Sequence, residues 1–377
     1  MRKAFISPLK YVQGENELQN LGYFVKTYGT SALLIASDED VERVRVQLDS
    51  TAAKFGVSFV SSNFCGECSR VEVERLIKVA KENSCDCIIG LGGGKAIDAA
   101  KTVAQGDNLI IVPTIAATDA PTSHSAVLYT PDGAFDDYAY FKQSPDVVMI
   151  DTTIIANAPV RFLVSGMGDA LATYFEARAS SASYSRVNAG LPCGGGEGDI
   201  QPAMGTLTAN MMAELCYQTL LADGPAAKKA CEANAVSKSL ENIIEANILL
   251  SGLGFESAGL AAAHAIHNGL SALEPTHDYY HGEKVAFGTL AQLVLENADA
   301  EEINEVLEFC YCVGLPICLA DIGITKITDK ELAEVAEKSC IPEESIHFMP
   351  FPVKADDVVA AIKVADAMGV AFKKAKH

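Results

Sequence analysis

Four of the chain's seven histidines fall in one short stretch, GFESAGLAAAHAIHNGLSALEPTHDYYHGEK: His264, His267, His277 and His281. Neutral imidazole is the commonest protein ligand for a transition metal, so a metal-dependent reaction is the first chemistry to consider. On a helix, residues three or four apart share a face, which pairs 264 with 267 and 277 with 281. Spacing alone favours the 277/281 pair. Each histidine taken singly also reads as a hydrogen-bonded structural residue. A chelate needs at least one further ligand. Asp169 is a candidate: its carboxylate, in Met167-Gly-Asp169, sits at a predicted helix start and could face a cleft. The same position also suits simple helix capping.

A second group of residues suits a nucleotide. Gly90-Leu-Gly-Gly-Gly-Lys95-Ala-Ile-Asp98 lies between an apolar run and a helical period. Glycines there let the backbone approach a pyrophosphate, and the helix N-terminus offers free N–H groups. The loop is not a P-loop, because Ala96 follows Lys95 where a Ser or Thr would hold Mg²⁺. It is not G-x-G-x-x-G either, because Lys95 stands at the last glycine position. Gly93, Gly94 and Lys95 are the residues closest to such a ligand; an ordinary tight turn is the alternative. Asp38, just past the first strand, could accept from a ribose or cap a helix. After the fourth strand comes Pro113-Thr-Ile-Ala-Ala-Thr-Asp-Ala-Pro-Thr-Ser-His-Ser125. Ligands of such sheets bind beyond the strands' carboxyl ends, so Thr114, Thr118, Asp119, Ser123 and Ser125 would line that edge. A solvated loop is the other reading. Cys65-Gly-Glu-Cys68 has a redox spacing, which spacing alone does not establish.

These residues need a scaffold. Short apolar runs at 32–36, 57–60, 87–91, 109–112 and 147–150 alternate with helical periods, the first running through Val41, Val44, Leu48 and Ala52. That alternation predicts a parallel sheet with βαβ crossovers. From about Arg161 the apolar spacing turns helical, as in 163–180, 206–223, 226–250, 259–273, 285–297 and 356–374. The expectation is an α/β half over 1–160 and an all-helical half over 161–377. A length of 377 residues agrees with two domains. Leu191 to Asp199 is glycine-rich and reads as a surface loop between helices.

Charge narrows the partners. Against 29 basic residues stand 49 acidic ones, a net −20. That field disfavours nucleic acid and anionic membrane surfaces, and favours a neutral small substrate. No apolar run approaches the length, about 20 residues, that spans a bilayer. The first residues lack the pattern of a secretory signal. Eleven scattered cysteines read as reduced thiols in the cytoplasm.

GLGGGKAIDAAK, PTIAATDAPTSHSAVLYT, DTTIIANAP, GMGDALATYFEARA and the long histidine stretch together resemble the glycerol dehydrogenase branch of the iron-containing alcohol dehydrogenase superfamily. The resemblance runs over nearly the whole chain. It implies a Rossmann-like parallel-sheet domain followed by a helical domain, the dehydroquinate synthase-like architecture. It implies NAD, one Zn²⁺ per subunit and a homo-oligomer, commonly an octamer. Metal ligands fall on Asp169, His264 and His281, with Asp169 and His264 also at the substrate. Asp119 contacts the polyol and, with His267, takes a catalytic place; His277 becomes a pocket residue. The cofactor positions are Asp38, Gly93, Gly94, Lys95, Asp98, Thr114, Thr118, Ser123, Ser125 and Tyr129. The implied reaction takes glycerol, or a related vicinal diol, to the ketone with hydride passing to nicotinamide.

The chain departs from its relatives at Ala117 and at His124, where an imidazole is expected close to the nicotinamide end. It departs also at the Ser37/Asp38 register and over 191–205, which looks like an insertion. A 3-dehydroquinate synthase-like or glycerol-1-phosphate dehydrogenase-like enzyme would want several cleft cations, and these segments supply mainly Lys95. A non-catalytic metal-binding protein would leave the glycine loop without purpose.

Overall fold

Strand β4 (Cys87–Gly92) is the centre of the architecture, and every residue in it is buried. The same holds for β5 (Leu109–Pro113) and β8 (Val147–Asp151). Strands buried on both faces carry continuous apolar sequence rather than alternation, which is why these runs are legible. With β1 (Lys10–Gly14), β2 (Ser31–Ala36) and β3 (Ser58–Asn63) they form a six-stranded parallel sheet in the order β1-β8-β5-β4-β2-β3. The computed structural model describes residues 2–64, 66–191 and 201–376. Cys65, the first cysteine of the redox spacing, and 192–200, most of the glycine-rich stretch, lie outside the described residues.

The chain runs from β2 outward to β3, then returns to place β4 on the other side of β2. The crevice at the carboxyl ends of β2 and β4 is therefore the topological switch point, where such sheets bind ligands. Ser37 follows β2, and Gly92, with φ 150°, ends β4. An L side chain rarely takes that φ, so the turn into the helix Gly94–Ala104 depends on glycine here.

Two strand features escape the sequence pattern. Edge strand β1 mixes Lys, Tyr, Val, Gln and Gly, and is held by pairing with β8. Strands β6 (Ser125–Tyr129) and β7 (Phe135–Tyr140) form an antiparallel hairpin in a stretch to which the sequence reading assigns no element. Most of β7 is exposed, so no apolar run announces it.

After β8 the described structure is dominated by helices, the longest being Val160–Ala182, Leu207–Glu232 and Ala355–Lys376. The sequence reading breaks the second of these near 224, but the helix continues through Pro225. Proline removes one intrahelical bond. Packing offsets that loss: Gly224 lies against the Phe309 ring, and Ala227 and Cys231 are buried. The break comes later, where Asn234 turns at φ 51° and Ser237 caps the next helix. No single helix among the described residues is long and apolar enough to cross a membrane.

Cys68 is buried, its sulfur 3.9 Å from Thr102 Oγ1. Burial, reinforced by Asp98, pushes its thiol up to about 12. A redox cysteine needs the opposite environment.

Candidate active site

A cleft of about 800 Å³ opens between the carboxyl edge of the sheet and the helices. Ser37, Gly93, Gly94 and Lys95 line one end; Asp169, His264 and His281 line the other.

The second end is assembled by a close helix crossing. A Cβ on Gly168 would lie 2.3 Å from the Gly282 carbonyl oxygen, and one on Gly282 would lie 1.8 Å from that of Ser165. Only glycine at both positions lets the helices Val160–Ala182 and His281–Leu295 meet backbone to backbone. That approach sets Asp169 beside His281, the first residue of its helix. Asp169 Oδ1 is 3.2 Å from His281 Nε2 and 3.3 Å from His264 Nε2. One ligand atom from each of the three residues falls within 4.8 Å of the others.

His264 is aimed by a residue that the sequence reading missed. Glu176 lies two turns beyond Asp169 on the same helix face. Its Oε1 accepts from the backbone N–H of Ala261 (2.9 Å) and His264 (3.0 Å), and its Oε2 from His264 Nδ1 (2.5 Å). Gln292 Oε1 accepts from Ala262 and Ala263 N–H (3.0 and 2.9 Å). Two buried side chains thus cap the helix Ala262–Leu270 from outside it. A carboxylate only accepts, so Nδ1 carries the proton and Nε2 is left for a ligand bond. The available signal was the seven-residue spacing of two acids inside GMGDALATYFEARA.

The electrostatics favour a cation. Burial alone would raise the Asp169 carboxyl, but the imidazoles of His281 and His264 outweigh it and hold it well below the usual range. Burial lowers His264, and the carboxylates of Glu176 and Asp169 outweigh that, raising it well above an ordinary histidine. Asp169 Oδ2 is buried and has no hydrogen-bond partner. One carboxylate and two imidazoles, with an orphaned carboxylate oxygen, fit a divalent transition-metal ion.

The 277/281 pairing fails for a local reason. Pro275 opens only a single 3₁₀ turn over Glu274–Thr276, and the α-helix begins only at His281. His277 is exposed and bonds the Ser271 carbonyl through Nε2 (3.1 Å). His267 does not line the cleft. It sits behind His281, ring centroids 4.3 Å apart and edge to face, with Nδ1 3.0 Å from Asn268 Oδ1. Burial, then the His281, Lys284 and His264 charges, push it well below an ordinary histidine. The structure places His267, expected at a catalytic position, as a buried neighbour of the three-residue cluster and not on the cleft wall.

At the other end, Lys95 pairs with Glu67 (2.5 Å) and lies 5.7 Å from the Tyr129 ring centroid. Asp98, Thr118, Ser123, Ser125 and Tyr129 also line the cleft. Two expected cofactor residues do not. Asp38 is exposed in the first turn of its helix, and Ser37 and Asp40 line the cleft in its stead. Thr114 is buried, its N–H bonding the Gly92 carbonyl (3.0 Å), and serves the turn itself.

Asp119 faces the cleft and accepts from Ser251 Oγ (2.7 Å). Burial and the nearby Asp169 raise its carboxyl well above the usual range. Its loop is clamped from below by Lys101, also unforeseen. This fully buried amine donates to Ser123 Oγ (2.7 Å), to the Ser125 carbonyl (2.9 Å) and to the Ala120 carbonyl. Burial lowers Lys101, with Asp98 opposing.

His124 departs from expectation. Its ring does not line the cleft; Nδ1 and the backbone N–H both meet Glu256 Oε1, inside the helical half. The imidazole is 3% exposed and its partner 0%. His124→Ala is therefore expected to destabilise the protein by about 3 kcal/mol, the scale for unpairing a buried ionisable group. Thermal unfolding reads that loss. The kcat/KM ratio among diols should stay within about twofold; a shifted ratio would return His124 to the substrate.

Comparison with known proteins agrees with this geometry. The iron-containing alcohol dehydrogenase family matches residues 8–152. The chain is 47% identical over 367 residues to the glycerol dehydrogenase of Thermotoga maritima, covering 97% of each chain. It is 44% identical over 371 residues to the glycolaldehyde reductase of Halobacterium salinarum, covering 98% of each. The structure of glycerol dehydrogenase from Schizosaccharomyces pombe matches with a TM-score of 0.92 at 37% identity, over 99% of this chain and 93% of that one. Identity at this level over the full length makes the chain a member of the iron-containing alcohol dehydrogenase family, within its glycerol dehydrogenase branch, and so an alcohol dehydrogenase.

Proposed function

We propose that the chain oxidises glycerol to dihydroxyacetone, and related vicinal diols to their hydroxyketones, with NAD as acceptor and Zn²⁺ as the ion. The observation that carries this reading is the Asp169–His264–His281 cluster at one end of a cleft whose other end is the Gly93–Lys95 turn. Bound there, a divalent ion supplies Lewis acidity that lowers an alcohol's pKa, and a nicotinamide supplies the hydride acceptor.

The chain's own residues do the rest. Glu176 keeps His264 in one tautomer with Nε2 facing Asp169. Ser251 and the Lys101 clamp fix Asp119 at the cleft wall, where its carboxyl can hydrogen-bond a substrate hydroxyl. Free N–H groups at the start of the helix Gly94–Ala104 suit a pyrophosphate. The cleft's charges also favour a neutral substrate. Its lysine and arginine lining is Lys95, already paired with Glu67, and Arg186, against Asp40, Asp98, Asp119, Asp169, Glu343 and Glu344. A phosphorylated polyol or an anionic quinate-type substrate would meet that acidic wall unpaired.

The test is nicotinamide reduction by the zinc-loaded protein with glycerol, 1,2-propanediol and a phosphorylated polyol, with NAD and with NADP. Turnover of the two neutral polyols with NAD, lost on chelation and restored by Zn²⁺, is expected. Preference for the phosphorylated polyol, or no turnover of any polyol, would refute the reading.

A further inference from the structure

The acid that sequence position suggests for a nucleotide ribose is not the acid that the fold presents. Asp38, just after β2, is exposed and lines a separate surface depression with Glu39 and Glu42. Asp40, two residues on, lines the cleft together with Ser37. A Cβ on Gly92 would lie 3.4 Å from Asp40 Oδ2, so the carboxylate overhangs the turn that ends β4. It gets there from the first turn of the helix Asp38–Phe55, across the crevice between the carboxyl ends of β2 and β4. The side chain keeps 19% of its surface exposed, so a ligand in the cleft can touch it.

Two neighbours hold that carboxylate in place. Ser37 Oγ donates to Asp40 Oδ2 (2.9 Å) and accepts from the Asp40 N–H (3.0 Å). The Arg43 guanidinium, one helical turn further on, pairs with Oδ1. Arg43 does not itself line the cleft, so its charge is turned to Asp40 and not to the space beside the glycine turn. Each carboxylate oxygen has a second lone pair beyond these bonds, which is what a hydroxyl donor needs.

We propose that Asp40 selects NAD over NADP, by accepting from the hydroxyls of the adenosine ribose and repelling a phosphate esterified there. This rests on the NAD reading given above. The N–H groups that open the helix Gly94–Ala104 suit the pyrophosphate, and the ribose is bonded directly to it. An acid at the end of the neighbouring strand is then within reach of the 2′-hydroxyl. A 2′-phosphate brings up to about two negative charges to a place that already holds one. Arg43, the cation that could answer it, is engaged by the same carboxylate. Asp40 thus discriminates twice: it attracts the ribose hydroxyls, and it withholds Arg43.

The experiment measures the dissociation constants of NADH and NADPH by nicotinamide fluorescence, so no turnover enters. It uses zinc-loaded wild type, Asp40→Asn, Asp38→Asn and the double variant Asp40→Asn/Arg43→Ala. The wild type is expected to bind NADH at least about tenfold more tightly than NADPH. Asn keeps the shape of Asp and an oxygen for Ser37 Oγ, so an unchanged unfolding midpoint is expected for Asp40→Asn. Its NADH affinity should fall about tenfold with the loss of a charge-assisted bond, and its NADPH affinity should rise about tenfold as the repulsion goes and Arg43 is released. Removing Arg43 as well should cancel most of the NADPH gain. Asp38→Asn should leave the ratio of the two constants within about twofold, because an exposed charge outside the cleft is screened. A ratio that moves less than about tenfold in Asp40→Asn, or as far in Asp38→Asn, overturns the proposal. So does a wild type that prefers NADPH. A double variant that keeps the NADPH gain overturns the part given to Arg43. Binding of neither dinucleotide by the wild type is a separate result, which refutes the NAD reading itself.

Discussion

Asp169→Asn is expected to leave a folded protein that holds no stoichiometric metal and has lost at least roughly a thousandfold in turnover. The magnitude follows from the several kcal/mol of charge stabilisation that a catalytic metal provides. Asn is nearly isosteric with Asp, so the helix crossing at Gly168 and Gly282 is kept. What disappears is the single negative charge between two imidazoles whose Nε2 atoms both lie within 3.3 Å of Oδ1. His264→Ala and His281→Ala should behave alike, since each removes one of three ligands. His267→Ala is the informative contrast. It alters a ring packed against His281 but contributes no atom to the cluster, so it should keep its metal and lose less than about tenfold in rate. Elemental analysis beside kcat separates these cases. Metal retained in Asp169→Asn, or metal lost as completely in His267→Ala as in His264→Ala, contradicts the ligand assignment.

The contrast between 264 and 267 also marks where the sequence stops speaking. Buried parallel strands such as β4 and β5 announce themselves, because both faces must be apolar. The glycine turn after β4 is legible for a similar reason: one backbone conformation excludes nearly every other residue. Ligand identity is not local in that way. His264, His267, His277 and His281 look equivalent in a string of letters, and the periodic argument prefers the wrong pair. Pro275 and the late helix start at His281 break the assumed register. What selects His264 is Glu176, a residue 88 positions away. What selects His281 is a glycine contact with the helix that carries Asp169. The resemblance to a known family names the three residues that the structure brings together, while spacing alone does not. The same resemblance misplaces His124, because a loop residue's direction depends on Glu256 and not on its neighbours in sequence. Lys101 and Ser251 escape notice because a buried amine and a serine in helical runs carry no signature until their partners are known.

Glu176 is where fold and chemistry meet, and two substitutions pull them apart. Its carboxylate is fully buried and accepts three bonds, two from backbone N–H groups at the start of the helix Ala262–Leu270 and one from His264 Nδ1. Glu176→Ala strands all three donors in the interior. The expected cost is about 3 kcal/mol or more, combining a lost cap with unsatisfied buried donors. Unfolding of the metal-free protein measures it. Glu176→Gln keeps an oxygen for the helix cap but removes the charge and puts an amide N–H₂ where a second acceptor stood. An amide donor facing Nδ1 favours the tautomer protonated on Nε2, the nitrogen that has to be bare for a ligand bond. Metal affinity should therefore fall by roughly 10- to 100-fold, the range for losing a carboxylate that orients a ligating histidine. Competition with a chelator gives that number without reference to turnover. If Glu176→Gln is destabilised but binds metal as tightly as the wild type, the carboxylate is a helix cap and nothing more. If the affinity falls while the unfolding midpoint barely moves, the charge sets the His264 tautomer, and the cap is a separate duty of the same side chain.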